Sequence, residues 1–423
     1  MRTKVLALCE DCNPEWPSLP VVGYKYAAAL SRRVDITVVT QIRNKPNIEK
    51  HGFADAKVVY LDTEHVAAGM YKLSTFLRRG NSTGWTIQMA MSYPSYLAFE
   101  FAAYKHFKQD LRAGAFDVVH RLTPMSPTLP SPMASLSDVP FVLGPLNGNL
   151  PWPAHFTQEL RREREWLAHL RNAYRLLPFY RSTYAKSRAI LAAFDHTVKD
   201  IAPRHQDRVI NFPEVGIDPG LFSMPERPVR EQQTVLFAGR LVPYKLPDVP
   251  VLAFARNPAL RKHKLLIAGD GPERPMIEAT IKAHDLENCV ELLGQRTQAE
   301  VAALMQSADI FAFPSIRELG AGVLIEAMAC GMACVCVDYG GPATLIGPDH
   351  GIKVPLGDKT SIVNSMADAL GALTADPARR ARLGSAAHVH ALRYYAWDQK
   401  AERTLGVYDW VLGRRADKPS FWD

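Results

Sequence analysis

Cysteine is scarce in this chain, and the patterns that would give it chemistry are missing. Six cysteines in 423 residues stand at positions 9, 12, 289, 330, 334 and 336, a usage that fits a reducing compartment. Cys9 and Cys12 form a single C-x-x-C, with no second pair and no histidine cluster to complete a zinc site. No metal is therefore expected. Three of the other cysteines lie in apolar stretches and read as small core residues. Long apolar runs are lacking too: none reaches the roughly 18–20 residues that a membrane span requires. The opening run to Cys9 is cut short by Glu10 and Asp11, so it reads as a first strand and not as a secretory leader. A cytoplasmic protein is expected, with no nucleic-acid partner.

Basic excess is also absent from most of the chain. The net charge is +7, yet residues 1–200 carry 25 Lys and Arg against 17 Asp and Glu, while the remainder carries 25 against 26. The surplus belongs to the first half. It suits an anionic partner or the inner face of the cytoplasmic membrane, and equally a solvated basic face.

What is present is strand–helix alternation, twice over. In the first half Val5–Cys9, Ile36–Thr40, Lys57–Leu61, Val118–His120 and Phe141–Gly144 read as strands, with helices over Tyr24–Arg33 and Tyr96–Arg112. In the second half Val235–Ala238, Lys264–Ala268, Val290–Leu293, Ile310–Phe313 and Ala333–Val337 read as strands. Thr297-Gln-Ala-Glu300 has the form of a capping box opening a helix to about Ala308. The fold class expected is α/β, two Rossmann-like parallel-sheet domains facing across a deep cleft, with ligands at the carboxyl ends of the strands. The expected divisions are residues 1–205, 214–392 and a helical 393–423 packing back on the first domain, with the joint near Pro203–Pro213.

Two constellations carry the chemistry. In Phe237-Ala-Gly-Arg-Leu-Val-Pro-Tyr-Lys245, Gly239 ends a buried strand, and Arg240 and Lys245 follow before a helix start. A planar guanidinium and a compact ammonium there suit a diphosphate, although in a loop such residues are commonly just solvated. In Glu318-Leu-Gly-Ala-Gly-Val-Leu-Ile-Glu326, two carboxylates flank a strand-to-helix turn kept bare by Gly320 and Gly322. Helix-start amides favour an anion, and carboxylates on either side suit hydroxyls. Anion plus hydroxyls is the outline of a nucleotide sugar. The competing reading is a cap and a solvated acid, but Glu326 sits among apolar residues, where a charge is expensive unless bound. A third run, Ile267-Ala-Gly-Asp-Gly-Pro272, is an incomplete dinucleotide fingerprint, with Arg274 where its third glycine belongs. A tight turn beside the ligand is the better reading of Gly269.

From residue 235 to 346 the chain resembles the family-four retaining glycosyltransferases of GT-B type (glycosyl transferases group 1). The matching residues are Gly239-Arg240…Lys245, Ala268-Gly-Asp-Gly-Pro272, Pro314-Ser-Ile-Arg-Glu318 through Glu326-Ala-Met-Ala-Cys-Gly331, and Asp338-Tyr-Gly-Gly341. Weaker echoes reach Val215-Gly-Ile-Asp218 and Ala396-Trp397. The resemblance implies a donor site of Gly23, Gly239, Arg240, Lys245, Gly269, Arg296, Glu318, Gly320, Ala321, Gly322, Val323 and Glu326. Within it Arg240 and Lys245 would neutralise the departing diphosphate, Glu318 would hold the transferred sugar, Glu326 the ribose, and Arg296 would lie beside the base. No cofactor or metal is implied, since Arg, Lys and a helix terminus stabilise the leaving charge.

The departures from that family concern the first half. Of its Gly-Gly loop only Gly23 survives, and of two histidines near the fourth strand's end His120 is kept while Leu122 replaces the other. His120 is a catalytic candidate, set against a structural histidine. Thr344 replaces an acid that often follows the second glycine pair. In Gly144-Pro-Leu-Asn-Gly-Asn-Leu-Pro-Trp-Pro153, Asn147 and Trp152 are candidate acceptor contacts, set against a merely rigid loop. Residues 159–181 are Arg-rich, with Trp166, Leu167, Leu170, Tyr174 and Leu177 at helical spacing, which suits an interfacial helix or ordinary packing on the sheet. The expected function is sugar transfer from a nucleotide-diphosphate sugar to a hydroxyl of a glycan or lipid-linked acceptor, in surface polysaccharide or glycoconjugate synthesis. A nucleotide-sugar 2-epimerase and a noncatalytic sugar-nucleotide-binding subunit are the alternatives.

Overall fold

A computed structural model describes residues 2–53, 55–66, 85–157, 159, 173–227 and 230–423. Every strand pair in it is parallel. The chain divides into two compact units, one of residues 1–149, 164–214 and 397–423, the other of residues 150–163 and 215–396.

The first unit is built on seven strands: β1 (Lys4–Cys9), β2 (Asp35–Gln41), β3 (Lys57–Leu61), β4 (Val118–Thr123), β5 (Phe141–Leu146), β6 (Ser187–Ala192) and β7 (Val209–Asn211). They lie in the order β3-β2-β1-β4-β5-β6-β7. The second unit has six: β8 (Thr234–Ala238), β9 (Lys264–Ala268), β10 (Val290–Gly294), β11 (Ile310–Phe313), β12 (Ala333–Val337) and β13 (Ile352–Val354), in the order β10-β9-β8-β11-β12-β13. Both sheets thus grow outward from their first strand and then reverse, which makes both units Rossmann-like. The reversals fall at β1/β4 and β8/β11, where ligands collect in such sheets. Central strands such as β4 and β12 are buried along their whole length; β12 is wholly apolar, as a sheet covered on both faces requires, while β4 carries the buried His120 and Arg121, each with hydrogen-bond partners.

Several local outcomes differ from the expectations. The first helix runs Leu19–Ser31 and not Tyr24–Arg33, because Pro20 suits a helix's first turn, where its missing N–H costs nothing. The stretch Pro203–Pro213 is itself structured. It holds a 3₁₀ turn over Pro203–Arg208 and then β7, paired with β6. The strands β6, β7 and β13 had no counterpart in the reading above. Thr297 and Glu300 do make the reciprocal capping box, and the helix they open runs Gln298–Ser307.

The helix Trp397–Val411 belongs to the first unit and packs on helix Leu19–Ser31. Its Lys400 is fully buried, donating to the Pro213 carbonyl amid the rings of Tyr26, Phe212, Trp397 and Phe421. The segment after β5 changes allegiance at residue 150. Phe156 enters the second unit's core, Trp152 packs against that core, and the Tyr339 hydroxyl donates to the Pro151 carbonyl at 2.8 Å. Trp166, Leu167 and Leu170 lie outside the described residues; Tyr174 donates to Asp200 at 2.8 Å, while Leu177 opens onto a shallow depression shared with Arg175, Phe179 and Arg181. Among the described residues no helix is long and apolar enough to cross a membrane.

Candidate functional site

The second unit's sheet reverses direction at β8/β11, so the loops leaving those two strands emerge side by side. One carries Gly239, Arg240 and Lys245; the other carries Glu318. The backbone at the end of β8 must turn sharply, and Gly239 does so at φ 155°. Gly269, leaving β9, has φ 148°, and a Cβ there would stand 1.9 Å from the Gly239 carbonyl oxygen. No other residue fits at 269 without moving one of the two loops. Gly269 is therefore a packing glycine of the site's floor.

On that floor Lys245 and Glu318 form an ion pair, with side-chain exposures of 11% and 15%. The same carboxylate oxygen accepts from Ser315 Oγ at 3.2 Å. Lys245 Nζ also lies over the rings of Tyr244 and Phe313, at 5.8 and 5.6 Å. Such enclosure strengthens electrostatics by excluding water. Arg240 is exposed, and its Nη2 donates to the Tyr244 hydroxyl at 2.7 Å. The basic pair and the first acid are thus brought together.

After Glu318 the chain enters the helix Gly322–Ala329 through Ala321, which adopts a left-handed φ of 44°. Among the described residues no side chain caps this helix, so the amides of Gly322 and Val323 point from an open N-terminus suited to an anion. Glu326 follows one turn in and accepts from Gln298 Nε2 at 3.3 Å. Gly320 lies half-buried in the turn before it. The turn itself is held from behind by the second glycine pair: Gly341 N donates to the Glu318 carbonyl at 2.9 Å, and a Cβ on Gly341 would meet the Leu319 oxygen at 2.2 Å. Arg296 is exposed in the loop after β10. Trp152, in the segment this unit recruits, has the Arg317 guanidinium 5.0 Å from its ring centre, one residue from Glu318.

Three site candidates lie in the first unit. Gly23 is not in a loop; it lies inside the helix Leu19–Ser31, where a Cβ would meet the Asp11 carbonyl at 2.4 Å and Thr123 at 2.9 Å. Its smallness lets that helix approach the ends of β1 and β4. His120 is wholly buried, with Nδ1 bonded to the Tyr408 hydroxyl and Nε2 to the Gly144 carbonyl, both at 2.7 Å. Burial holds its pKa down to about 4. Both ring nitrogens are spent, so reaching a substrate would require giving one up. Asn147 follows β5, its amide donating to Glu214. The C-x-x-C thiols are buried, and burial pushes that of Cys12 well up. That is the wrong character for a reactive thiolate.

Several partners escaped the sequence reading: Ser315, Tyr244 and Gln298, which orient Glu318, Arg240 and Glu326. Tyr244 and Ser315 stand beside motif residues, which was the available signal. Gln298 comes from another helix, and nothing in its own neighbourhood marks it.

The model of the family "Glycosyl transferases group 1" matches residues 223–389. A D-inositol 3-phosphate glycosyltransferase of Stackebrandtia nassauensis is 33% identical over 223 residues, covering 48% of this chain and 49% of the relative. One of the same name from Salinispora tropica is 35% identical over 186 residues, covering 41% and 37%. The matches thus span about half the length of these curated relatives or less. Solved structures align along nearly the whole chain. Sucrose-phosphate synthase from Thermosynechococcus elongatus covers 98% of this chain and all of its own, at TM-score 0.64 and 17% identity. HepE from Anabaena, in complex with UDP and glucose, covers 96% of this chain and all of its own, at TM-score 0.57 and 18% identity. The sequence match lies over the second unit, where residues 223–389 are similar to the group 1 glycosyl transferases, and the chain as a whole has the fold of two Rossmann-like units of GT-B type.

Proposed function

We propose that the protein is a retaining glycosyltransferase, moving a sugar from a nucleotide-diphosphate donor to a hydroxyl of a glycan or lipid-linked acceptor. The observation that carries this reading is the enclosed Lys245–Glu318 pair beside Arg240 and the uncapped start of helix Gly322–Ala329. Arg240, Lys245 and the amides of Gly322 and Val323 meet the diphosphate. Glu318 takes hydroxyls of the sugar, Glu326 those of the ribose, and Arg296 sits beside the base.

As the bond from the anomeric carbon to the diphosphate oxygen breaks, negative charge grows on that oxygen. The fixed cations and amides stabilise it there, supplying what a metal ion would otherwise supply. The acceptor hydroxyl attacks from the face the diphosphate leaves. Its proton passes to the departing phosphate oxygen, so configuration is retained and no protein base is needed. The basic first half suits a peripheral position at an anionic membrane surface, where a lipid-linked acceptor resides. Production of a surface polysaccharide or glycoconjugate is the corresponding role.

The test is hydrolysis and transfer with a panel of sugar nucleotides, UDP-sugars first because HepE holds UDP. Slow donor hydrolysis by the purified chain, lost in Glu318→Ala, supports the reading. Conversion of the donor to its 2-epimer without acceptor, or donor binding with no turnover under any acceptor, would replace it.

A further inference from the structure

At the carboxyl ends of β5, β6 and β7 the first unit gathers polar atoms that have no partner among the described residues. The residues Leu146, Ala192 and Asn211 end these three strands in lateral register. Just beyond or at those ends, Asn147 Oδ1, Asn149 Oδ1, His196 Nε2, Asn211 Oδ1 and Glu214 Oε2 are each buried and without a hydrogen bond among the described residues. A buried polar atom left unpaired is costly, and native structures keep few of them. Five at one end of one sheet, where open α/β sheets place ligands, call for a common occupant.

The centre of the group is the Asn147–Glu214 pair. Glu214 is 7% exposed. Its Oε1 accepts from the Asn147 amide, which fixes the amide's orientation and leaves Asn147 Oδ1 and Glu214 Oε2 vacant. Neither residue can swing aside easily. The Asn147 backbone N–H donates to Met125 at 2.6 Å, and Lys400 donates to the carbonyl of Pro213, next to Glu214. Thr197 Oγ1 bonds both the carbonyl and the N–H of Gly148, at 3.1 and 3.3 Å, which pins the neighbouring His196 to the same loop. A hydroxyl can give and receive hydrogen bonds, so it matches a mixed set of amide oxygens, an imidazole nitrogen and a carboxyl oxygen.

We propose that Asn147 and Glu214, flanked by Asn149, His196 and Asn211, form a hydroxyl-reading subsite for a polyhydroxylated acceptor, a sugar ring or polyol. This rests on the sugar-transfer reading and assigns Glu214 as a residue that selects and positions the acceptor. A carboxyl bonded to an amide on one oxygen and to the acceptor on the other discriminates strongly against ligands lacking that hydroxyl.

The experiment titrates myo-inositol, D-glucose and glycerol into the full chain by saturation-transfer NMR, with UDP titrated by calorimetry alongside. The variants are Glu214→Gln, Asn147→Ala and, if either misfolds, the less buried His196→Ala. Saturable binding of at least one polyol, weakened about 10–100-fold in the variants while UDP affinity holds, supports the subsite. No saturable polyol binding by the wild type, or variants that bind polyols as it does, would overturn it and leave these atoms to structural water. Failure of the wild type to bind any nucleoside diphosphate would count against the donor reading instead, and the polyol comparison would still decide the subsite.

Discussion

Replacing Lys245 with methionine separates the two jobs its side chain performs. Methionine keeps the stem over the Tyr244 and Phe313 rings and removes the charge. Breaking a buried ion pair from one side costs about 3–5 kcal/mol, because the partner is left uncompensated. Here both side chains keep a little exposure, 11% and 15%, and Ser315 still bonds Glu318, so about 2–3 kcal/mol is the expected loss. For a unit of this size that lowers Tm by about 4–12 °C. Loss of one charge-assisted contact to the diphosphate should separately cost about 1.5–3 kcal/mol, a roughly 10–150-fold rise in Kd for the nucleoside diphosphate. The double variant Lys245→Met, Glu318→Gln discriminates between the two effects. It removes the stranded carboxylate, so calorimetry should show most of the stability returning while nucleotide affinity stays low. If Lys245→Met binds UDP within about twofold of a UDP-binding wild type, the ammonium does not meet the diphosphate and the site assignment fails.

Other consequences are open to measurement. Gly269→Ala places a methyl 1.9 Å from the Gly239 oxygen; it should lower Tm by several degrees and weaken nucleotide binding, and an unchanged melt would refute the close approach. Glu10 is buried beside Asp11, and both effects lift its pKa to about 7 from 4.5 despite Arg43. Between those values the folded state binds the proton more tightly than the unfolded chain, so stability from this group is full below about 4.5 and falls as pH rises to about 7. Glu10→Gln should therefore raise Tm at pH 8 relative to wild type, by the equivalent of about 1–3 kcal/mol, and change it least near pH 4.5. All six cysteines are buried, so Ellman's reagent should detect thiols at the rate of unfolding and no faster.

The motifs of the second unit were legible in the sequence because they are local. Gly239, Lys245, Glu318 and Glu326 each announce a strand end or helix start within a few residues, and the sheet's reversal then brings them together. What was not legible depends on distant chain. His120 reads as a strand-end histidine, and only helix Trp397–Val411 supplies the Tyr408 that occupies its ring. Gly23 reads as the relic of a loop, yet Pro20 starts a helix early enough to enclose it. The strands β6 and β7 are short, and β7 borrows its definition from pairing with β6 rather than from its own three residues. Glu214 escaped because what marks it is an oxygen without a partner among the described residues, a property no sequence pattern reports.

The switch of allegiance at residue 150 bears on how this protein can be dissected. A fragment cut as one continuous stretch from Val215 to Ala396 would leave behind Leu150, Trp152 and Phe156. It would present solvent with a greasy scar where Phe156 had been inserted, and Arg317 would lose the ring it lies over. Anyone wishing to crystallise or titrate the second unit by itself should graft residues 150–157 onto it through a short linker, or expect a sticky, poorly behaved product.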